Sequence, residues 1–438
     1  MKLTLRQQLT QFSHVMQADL FPVLEQEIGV LDSVTKRLIA TLELVPLARF
    51  VPSGHGWVGP PPKDRLALAS AFVAKAVYGF TTTRQLLGQI LRDDQLRMIC
   101  GWPTVRHVPH ESTFSRAFAE FARMELPHFV HDTLIRTTHK NRLVCHIARD
   151  STAIEARERF PLTKAQRDVR KRAEKQKSVD RSAGRKKRQR SGPRGPHKRW
   201  KGGKAVRDPN SRLHRQRSMT LSQMLEELPR QCGIGVKTSD GGNQKYWRGY
   251  KLHLDVADGQ IPITALLTSA NLHDSQAAIP LAVMTACRVT NLYDVMDTAY
   301  DANEILERSR SLGHAPLIAA IKRNAGVTAL GKVRPYRESR EFTWAEQDRY
   351  RERTMIERVY ARLKDEFGGR QIRVRGPQKV MAHLMFALLA LTADQILKLG
   401  TKLKNEGLAL RYKVDLKNAS FVTPQLRMSW QMVTIRGP

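Results

Sequence analysis

The sequence predicts a mixed α/β fold preceded by an all-α region, and three observations support this prediction. From residue 1 to about 140 the apolar residues show helical spacing. From Leu143 onward, short apolar runs with the composition of strands alternate with helical segments, as in a mixed sheet flanked by helices. A long basic segment follows the first of these runs, and we predict that it is an insertion.

Length, charge and cysteine content limit the possible classes of protein. A chain of 438 residues can hold two or three domains with sizeable cores. The formal net charge of +33 is far more than solubility requires, and it predicts a polyanionic partner. The four cysteines are scattered without metal-site spacing, which favours reduced thiols in a cytosol.

Two stretches bear on localisation. Met1 to Arg6 leads into polar sequence without the pattern of a signal peptide. The most apolar run extends from Val380 to Leu399. Because His383, Asp394 and Lys398 interrupt it, we predict a buried helix and not a membrane span. We therefore expect a cytoplasmic protein with no membrane partner.

Residues 1–140 are predicted to form a helical N-terminal domain for DNA binding or dimerisation. A helix starts near Thr81, a turn follows at Gly101-Trp102-Pro103, and Glu111 opens a further helix. This order is compatible with a helix-turn-helix that reads DNA, and equally with a plain helical scaffold.

Residues 157–244 are predicted to form a basic, flexible insertion, in which Met219 to Leu228 is predicted to be a short helix that Pro229 ends. Residues 157–217 hold 24 Lys and Arg against five Asp and Glu, which supplies +19 of the net charge. Such a sequence cannot bury enough apolar area to fold alone. We expect it to bind DNA phosphates without reading sequence; the alternative is a solvated loop with no partner. The densest basic run contains Lys186, Lys187, Arg188 and Arg190.

Two acids are predicted to end apolar strands. One strand begins at Leu143 and ends at Asp150, and the other begins at Asn291 and ends at Asp297. In a parallel pair of neighbouring strands, both acids would lie at the carboxyl ends, about 4.8 Å apart. Carboxylates that close repel one another unless cations neutralise them, and oxygen ligands favour Mg²⁺ or Mn²⁺ over zinc.

The elements between and after the acids complete the predicted sheet. A hairpin turns at Asp258-Gly259, and a helix runs from Ser275 to Arg288, capped by the stretch from Asn271 to Asp274. After the second acid come a helix over 303–312 and a strand over 316–321. This element order is that of a ribonuclease-H-like fold.

The stretch from Tyr350 to Lys364 is predicted to be one amphipathic helix. Four polar residues fall on one face of it: Tyr350, Arg353, Glu357 and Lys364. The opposite arc is apolar and contains Met355, Ile356, Val359, Leu363 and Phe367. On the helix alone, the polar face could equally be the solvated side of an ordinary core helix.

With its two strand-end acids and this helix, the chain resembles DDE transposases of bacterial insertion sequences, in the class with a Tyr-Arg-Glu-Lys signature. The spacing of two, three and six residues between these four positions matches in full. Asp297-Thr298-Ala299-Tyr300 also fits the family's motif at the second acid. The resemblance extends from about Leu143 to Leu399, apart from the basic insertion.

The resemblance implies a metal-dependent enzyme that cleaves and joins DNA. The expected catalytic residues and metal ligands are Asp150, Asp297 and Glu357, with two Mg²⁺ or Mn²⁺ ions. Tyr350, Arg353 and Lys364 are expected to hold the transposon-end backbone. The expected partner is double-stranded DNA, as transposon ends and target, bound by a homodimer associated with the bacterial nucleoid. The alternative is a retired sequence-specific DNA-binding protein, or a structure-selective nuclease on the same fold.

The predicted domains follow from this resemblance. Residues 141–156 and 245–400 form the catalytic domain, and residues 401–438 form a C-terminal tail. Many relatives carry a large β-rich insertion between the second Asp and the Glu, whereas about 60 residues separate them here. Trp344 is the nearest candidate for the base-flipping Trp of that insertion.

Four other acids compete for the catalytic positions. They are Asp294 and Asp301 beside the second strand end, and Glu352 and Glu366 on the signature helix. We expect Asp294 to be out of register with the strand end, and the two glutamates to turn toward the apolar arc.

Overall fold

The computed structural model of the chain describes residues 5–51, 63–139, 142–158, 168, 211–238, 244–319 and 342–405. These residues form a six-stranded mixed sheet with helices packed against it. The mixed α/β class is as predicted, and the arrangement is compatible with a ribonuclease-H-like fold.

The N-terminal region is helical, as its apolar spacing predicted. Its helices are α1 Leu5–Val15, α2 Phe21–Ile28, α3 Ser33–Leu44, α4 Arg65–Val77, α5 Thr83–Arg92, α6 Asp94–Ile99, α7 Glu111–Arg123 and α8 Leu126–His139. Local sequence fixes several of these starts. The Thr82 hydroxyl accepts a hydrogen bond from the Gln85 backbone N–H, and the Gln85 side-chain oxygen accepts one from the Thr82 backbone N–H, which is a capping box.

The part of the chain after α8 contains the sheet and the helices around it. The strands are β1 Leu143–Glu155, β2 Gly233–Thr238, β3 Gln244–Ala257, β4 Ile261–Ser269, β5 Thr290–Met296 and β6 Ala315–Ile318. The helices are α9 Arg212–Arg215, α10 Leu221–Glu227, α11 Ser275–Ala286, α12 Asn303–Ser311, α13 Trp344–Arg351, α14 Met355–Asp365 and α15 Pro377–Asn405. The hairpin between β3 and β4 turns at Gly259, as predicted; its φ of +80° suits glycine.

The sheet combines parallel and antiparallel pairs. Its order is β2-β3-β1-β5-β6, and β4 also pairs with β3. Strand β1 is antiparallel to β3 and parallel to β5, which in turn is parallel to β6. The strands that carry the two predicted acids are therefore direct parallel neighbours.

Part of the predicted flexible insertion is folded. Residues 211–238 form α9, α10 and β2, and β2 pairs with β3 from Gly233 opposite Gly249 to Thr238 opposite Gln244. The expectation of one flexible segment over 157–244 is wrong for these residues. The short helix predicted at Met219 to Leu228 is confirmed as α10, and its Met224 and the following Leu228 are buried against residues of α11.

The N-terminal helices and the sheet share one hydrophobic core, so they are not separately cored domains. Helix α15 lies at its centre and contacts α4, α7 and α8 as well as β4 and α14. Phe386 of α15 packs against Phe72 of α4 and Phe118 of α7, with ring centroids 5.7 and 6.3 Å apart. By length and composition, Pro377–Leu399 could cross a membrane, but 89% of that stretch is buried inside the protein, as predicted for a core helix.

This shared core generates a stability prediction. Phe386→Ala should lower the free energy of unfolding by about 3–5 kcal/mol, because it removes a buried ring between the helices and the sheet. Urea unfolding followed by circular dichroism and by tryptophan fluorescence should shift together. Phe129→Ala, at a side chain 53% exposed on α8, is the matched control and should cost far less. Loss of the helices with the sheet left intact would contradict a shared core.

Candidate active site

Two carboxylates meet where the parallel pairing of β1 with β5 ends. The last pair is Arg149 opposite Met296, and Asp150 and Asp297 are the next residues along the two strands. Because the strands run in the same direction, both acids lie at the same edge of this pairing. The two carboxylates interact electrostatically, so the structure brings together the two acids that the sequence singled out.

The first acid does not end its strand, contrary to expectation. β1 continues to Glu155, because its last five residues pair antiparallel with β3, from Ser151 opposite His253 to Glu155 opposite Gly249. Asp150 therefore lies inside β1. At this point β1 leaves its parallel partner on one side and keeps its antiparallel partner on the other.

The site holds more negative charge than its neighbouring cations neutralise. Burial raises the pKa of Asp150 to about 7, and the charges of Asp297 and Asp274 add to the increase. Burial also raises the pKa of Asp297, and Asp274 again contributes. The Arg353 guanidinium lowers both pKa values without cancelling the increase. Such a site favours binding of a further cation.

The signature helix is interrupted beside the acids. Between α13 and α14, residues Glu352–Thr354 form a 3₁₀ turn, so the predicted single ideal helix is wrong at this point. Arg353 lies in the turn and forms an ion pair with Glu357, Nη1 to Oε1 3.8 Å, and a hydrogen bond with the Tyr350 side chain. Arg353 and Tyr350 therefore lie within electrostatic reach of the carboxylate pair, and Glu357 is connected to it only through Arg353.

Glu357 does not complete a cluster of three acids in this structure. Its side chain is 61% exposed and faces Arg353. Among the residues that the structure describes, no three His, Cys, Asp or Glu side chains converge in a geometry that could hold a metal ion. The structure thus assembles two of the three predicted ligands.

Two contacts attach α14 to β1 around the first acid. The buried Tyr360 hydroxyl donates a hydrogen bond to the backbone carbonyl of Asp150 at 2.6 Å. Two residues further along β1, the Thr152 hydroxyl accepts a hydrogen bond from the Lys364 ammonium at 2.6 Å. Lys364 is half-buried and reaches the strand, a contact that the sequence did not predict.

Asp274 is a further acid that sequence reasoning assigned to another role. It was expected to help cap α11, but its side chain makes no capping hydrogen bond. Its Oδ1 instead accepts hydrogen bonds from the Ser151 hydroxyl at 2.7 Å and from the Lys251 ammonium at 2.8 Å. The His273 ring nitrogen contacts the Ser275 backbone N–H in the capping position. Asp274 therefore binds the residue that follows Asp150.

A buried ion-pair network lies immediately below the site. Arg149 donates to both carboxylate oxygens of Asp255 on β3, at 2.8 and 2.7 Å. It also lies 3.9 Å from Asp294 on β5, and all three side chains are almost fully buried. The Ser309 hydroxyl donates to Asp294 Oδ2, and the same oxygen contacts His314 Nδ1 at 3.2 Å. The competing acid Asp294 is thus held in a structural network.

The other competing or auxiliary residues lie outside this cluster. Glu352 and Glu366 are exposed, so the expectation that they turn toward the apolar arc is wrong. Trp344 is 87% exposed at the start of α13. The basic residues Lys186, Lys187, Arg188 and Arg190 lie outside the described part of the chain.

The carboxylate pair has the donor chemistry of a site for a hard divalent cation. Asp150 and Asp297 offer oxygen ligands, and burial, with a smaller contribution from neighbouring acids, raises the pKa of both carboxyls. They fit the role of ligands for Mg²⁺ or Mn²⁺, while Glu357 would have to leave Arg353 to join them.

Two family models match the chain. Residues 210–393 match a family described as transposase DDE domain, and residues 24–120 match one described as transposase domain (DUF772). No curated protein and no solved structure matches the chain. The two matches indicate a DDE-type transposase.

The matched ranges include two of the three predicted catalytic acids. The DDE match includes Asp274, Asp297 and Glu357, and Asp150 precedes it. The second match extends from α2 into α7. DDE transposases generally use divalent metal ions, and the carboxylate pair of this chain has oxygen ligands suited to such ions.

The charge imbalance at the site generates a prediction on stability against pH. The pKa of Asp150 is about 7 in the folded protein and near 3.9 in the unfolded chain. The free energy of unfolding of the wild type therefore falls as pH rises between these values, because the buried carboxyl must then ionise. Asp150→Asn removes the charge and keeps a hydrogen-bond acceptor for the Ser151 N–H. Its stability relative to wild type should increase by about 2 kcal/mol between pH 5 and pH 8, in urea unfolding without divalent cations.

Asp365→Asn is the matched control for this pH dependence. Asp365 is a surface acid 52% exposed, paired with Arg370, and its replacement should give no such increase. A difference between Asp150→Asn and wild type that did not change with pH would contradict the proposed charge imbalance.

Proposed function

We propose that this transposase binds the terminal inverted repeats of a bacterial insertion sequence and catalyses metal-dependent phosphodiester cleavage and strand transfer. The observation that carries the proposal is the carboxylate pair at the edge of the β1–β5 pairing, short of positive charge and adjacent to the signature residues. The catalytic residues of the proposal are Asp150, Asp297 and Glu357.

The Arg353 guanidinium acts on all three acids in this structure. Arg353 is paired with Glu357, and its charge lowers the pKa values of Asp150 and Asp297. The contact of Tyr360 with the Asp150 carbonyl holds the first turns of α14 against β1, with Glu357 one turn before the tyrosine. A change of side-chain rotamer at Glu357 is therefore the smallest movement by which the third acid would approach the other two.

Asp150, Asp297 and Glu357 would hold Mg²⁺ or Mn²⁺, and we propose two ions. When bound, such ions activate a water or a DNA 3′-hydroxyl and stabilise the leaving oxygen. The contributions of the chain are to fix the two aspartates by strand register and to place a cationic side chain, Arg353, beside the scissile phosphate.

DNA phosphates are the polyanion that the net charge of +33 favours. Near the site, Lys364 lies within electrostatic reach of the cations Arg370 and Lys237 and of the acids Asp365 and Glu155. We propose that Tyr350, Arg353 and Lys364 hold the transposon end there, while the basic run at 186–190 binds phosphates of any sequence. Because an element has two ends, we propose that a homodimer acts on them together.

Replacement of the proposed catalytic acids tests the reaction. Asp150→Ala, Asp297→Ala and Glu357→Ala should each reduce Mg²⁺-dependent cleavage of DNA carrying the element's ends by at least about a hundredfold. DNA binding should remain, because these acids contact no phosphate directly. Glu352→Ala removes an exposed acid five residues before Glu357 and should retain cleavage. If any one of the three variants cleaved normally, that residue would not be catalytic. Binding without cleavage in the wild type would favour the retired DNA-binding protein.

The role of Lys364 is tested on the same substrate. Lys364→Ala should reduce cleavage of transposon ends on the order of a hundredfold, with overall DNA affinity much less affected, because a misplaced scissile bond reacts slowly. Arg358→Ala is the charge-matched control, at an exposed position of α14. Arg362 would be unsuitable, because its guanidinium donates to Asp394 at 2.5 Å and holds α14 to α15. Equal losses for Lys364→Ala and Arg358→Ala would mean that total charge matters and position does not.

A further inference from the structure

Tyr300 lies three residues after the second acid, in a turn that this acid stabilises. Asp297 Oδ1 accepts a hydrogen bond from the Ala299 backbone N–H at 2.9 Å and so caps the 3₁₀ turn Thr298–Tyr300. The Tyr300 side chain is only 1% exposed and packs in a cluster with Met224 and Ile279. Its position is therefore fixed relative to Asp297 by one short turn and by apolar packing.

The Tyr300 hydroxyl is buried and has no hydrogen-bond partner among the described residues. Buried hydroxyls are rarely left in this condition, because the group loses water without replacing its hydrogen bonds. Tyr360, the other buried tyrosine of the site, shows the usual arrangement, since its hydroxyl donates to the Asp150 carbonyl. Among the described residues, the Tyr360 hydroxyl therefore has a hydrogen-bond partner and the Tyr300 hydroxyl has none.

The surroundings of Tyr300 indicate what that partner would be. After burial itself, the negative charges of Asp274 and Asp150, then Tyr360 and Asp297, raise the pKa of Tyr300, so the hydroxyl lies within electrostatic reach of all three acids. Ser151 and Lys251 both donate to the Oδ1 atom of Asp274, which fixes that acid on one side. A protonated phenol among carboxylates is a hydrogen-bond donor toward negative or metal-bound oxygen.

We propose that Tyr300 is a positioning residue of the cation site, whose hydroxyl donates a hydrogen bond to a carboxylate or water oxygen when a divalent cation is bound. The proposal rests on the metal-dependent function proposed above. It also accounts for the unsatisfied hydroxyl, which a residue with a purely packing role would not need, since phenylalanine would fill the same space.

Tyr300→Phe in the full chain separates a packing role from a positioning role. The proposal predicts that this variant keeps or gains thermal stability but loses affinity for a divalent cation. Without divalent cations, the melting temperature should be unchanged or higher by a few degrees, since an unsatisfied buried hydroxyl is removed. Affinity for Mn²⁺, titrated as MnCl₂ without DNA and followed by electron paramagnetic resonance, should fall about tenfold. Binding is thus measured independently of cleavage.

Tyr78→Phe is the matched control, at a phenol of the N-terminal helices whose hydroxyl contacts Thr35 at 3.0 Å. It should lower the melting temperature slightly and leave Mn²⁺ affinity unchanged. Unchanged Mn²⁺ affinity in Tyr300→Phe would overturn the proposal for Tyr300 alone. A clear loss of stability in that variant would also overturn it, because the hydroxyl would then have a structural partner. Absence of Mn²⁺ binding by the wild type, or binding unaffected by Asp150→Asn, would instead overturn the proposed function and the role of Tyr300 with it.

Discussion

The buried ion pair between Arg149 and Asp255 is the interaction on which the geometry of the site depends. It joins β1 to β3, and its second acid, Asp294, adds β5 to the same group. Three neighbouring strands are therefore connected by charged side chains one residue below Asp150. A buried pair of this kind adds little net stability, but an alternative register would leave the guanidinium unpaired in the core, at a cost of several kcal/mol, on the order of 3–5. Its main effect is to fix the register that brings Asp150 beside Asp297.

The acids in and below the site differ in how well their charge is compensated. Burial would raise the pKa of Asp294, but Arg149, His314 and Ser309 outweigh burial and lower it. For Asp150, three residues further toward the carboxyl edge, burial dominates and the pKa rises to about 7. Compensation therefore distinguishes Asp294 from Asp150. It does not distinguish Asp255, because burial raises the pKa of that carboxyl although Arg149 and Thr285 both donate to it.

Sequence reasoning succeeded where the signal was local. The hairpin at Asp258-Gly259, the helix that begins at Glu111 and the buried arc of α14 each follow from a few neighbouring residues. The end of β1 was mispredicted, because residues 151–155 are held in the strand by β3, which lies about one hundred residues away in the chain.

The residues of the site that were missed have the same explanation. Tyr360 and Asp274 are recognisable only through their contacts with Asp150 and Ser151, on another element of the fold. Residues 211–238 were assigned to a flexible insertion because the charge of the whole segment outweighed a few apolar side chains that find partners on α11. Spacing along the chain predicted which residue types the site would use, and tertiary contacts decided which of them meet.

The attachment of α14 at two faces connects the site to the N-terminal helices. On one face Tyr360 contacts β1 at Asp150, and on another Arg362 donates to Asp394 of α15 at 2.5 Å. Helix α15 in turn packs against α4, α7 and α8 in the shared core. Protein cores are close-packed and deform little, so the exposed face of α7 keeps a fixed position relative to Glu357. If α7 reads the transposon end, the distance from the recognised bases to the cleaved bond is therefore set by this core and not by a flexible linker.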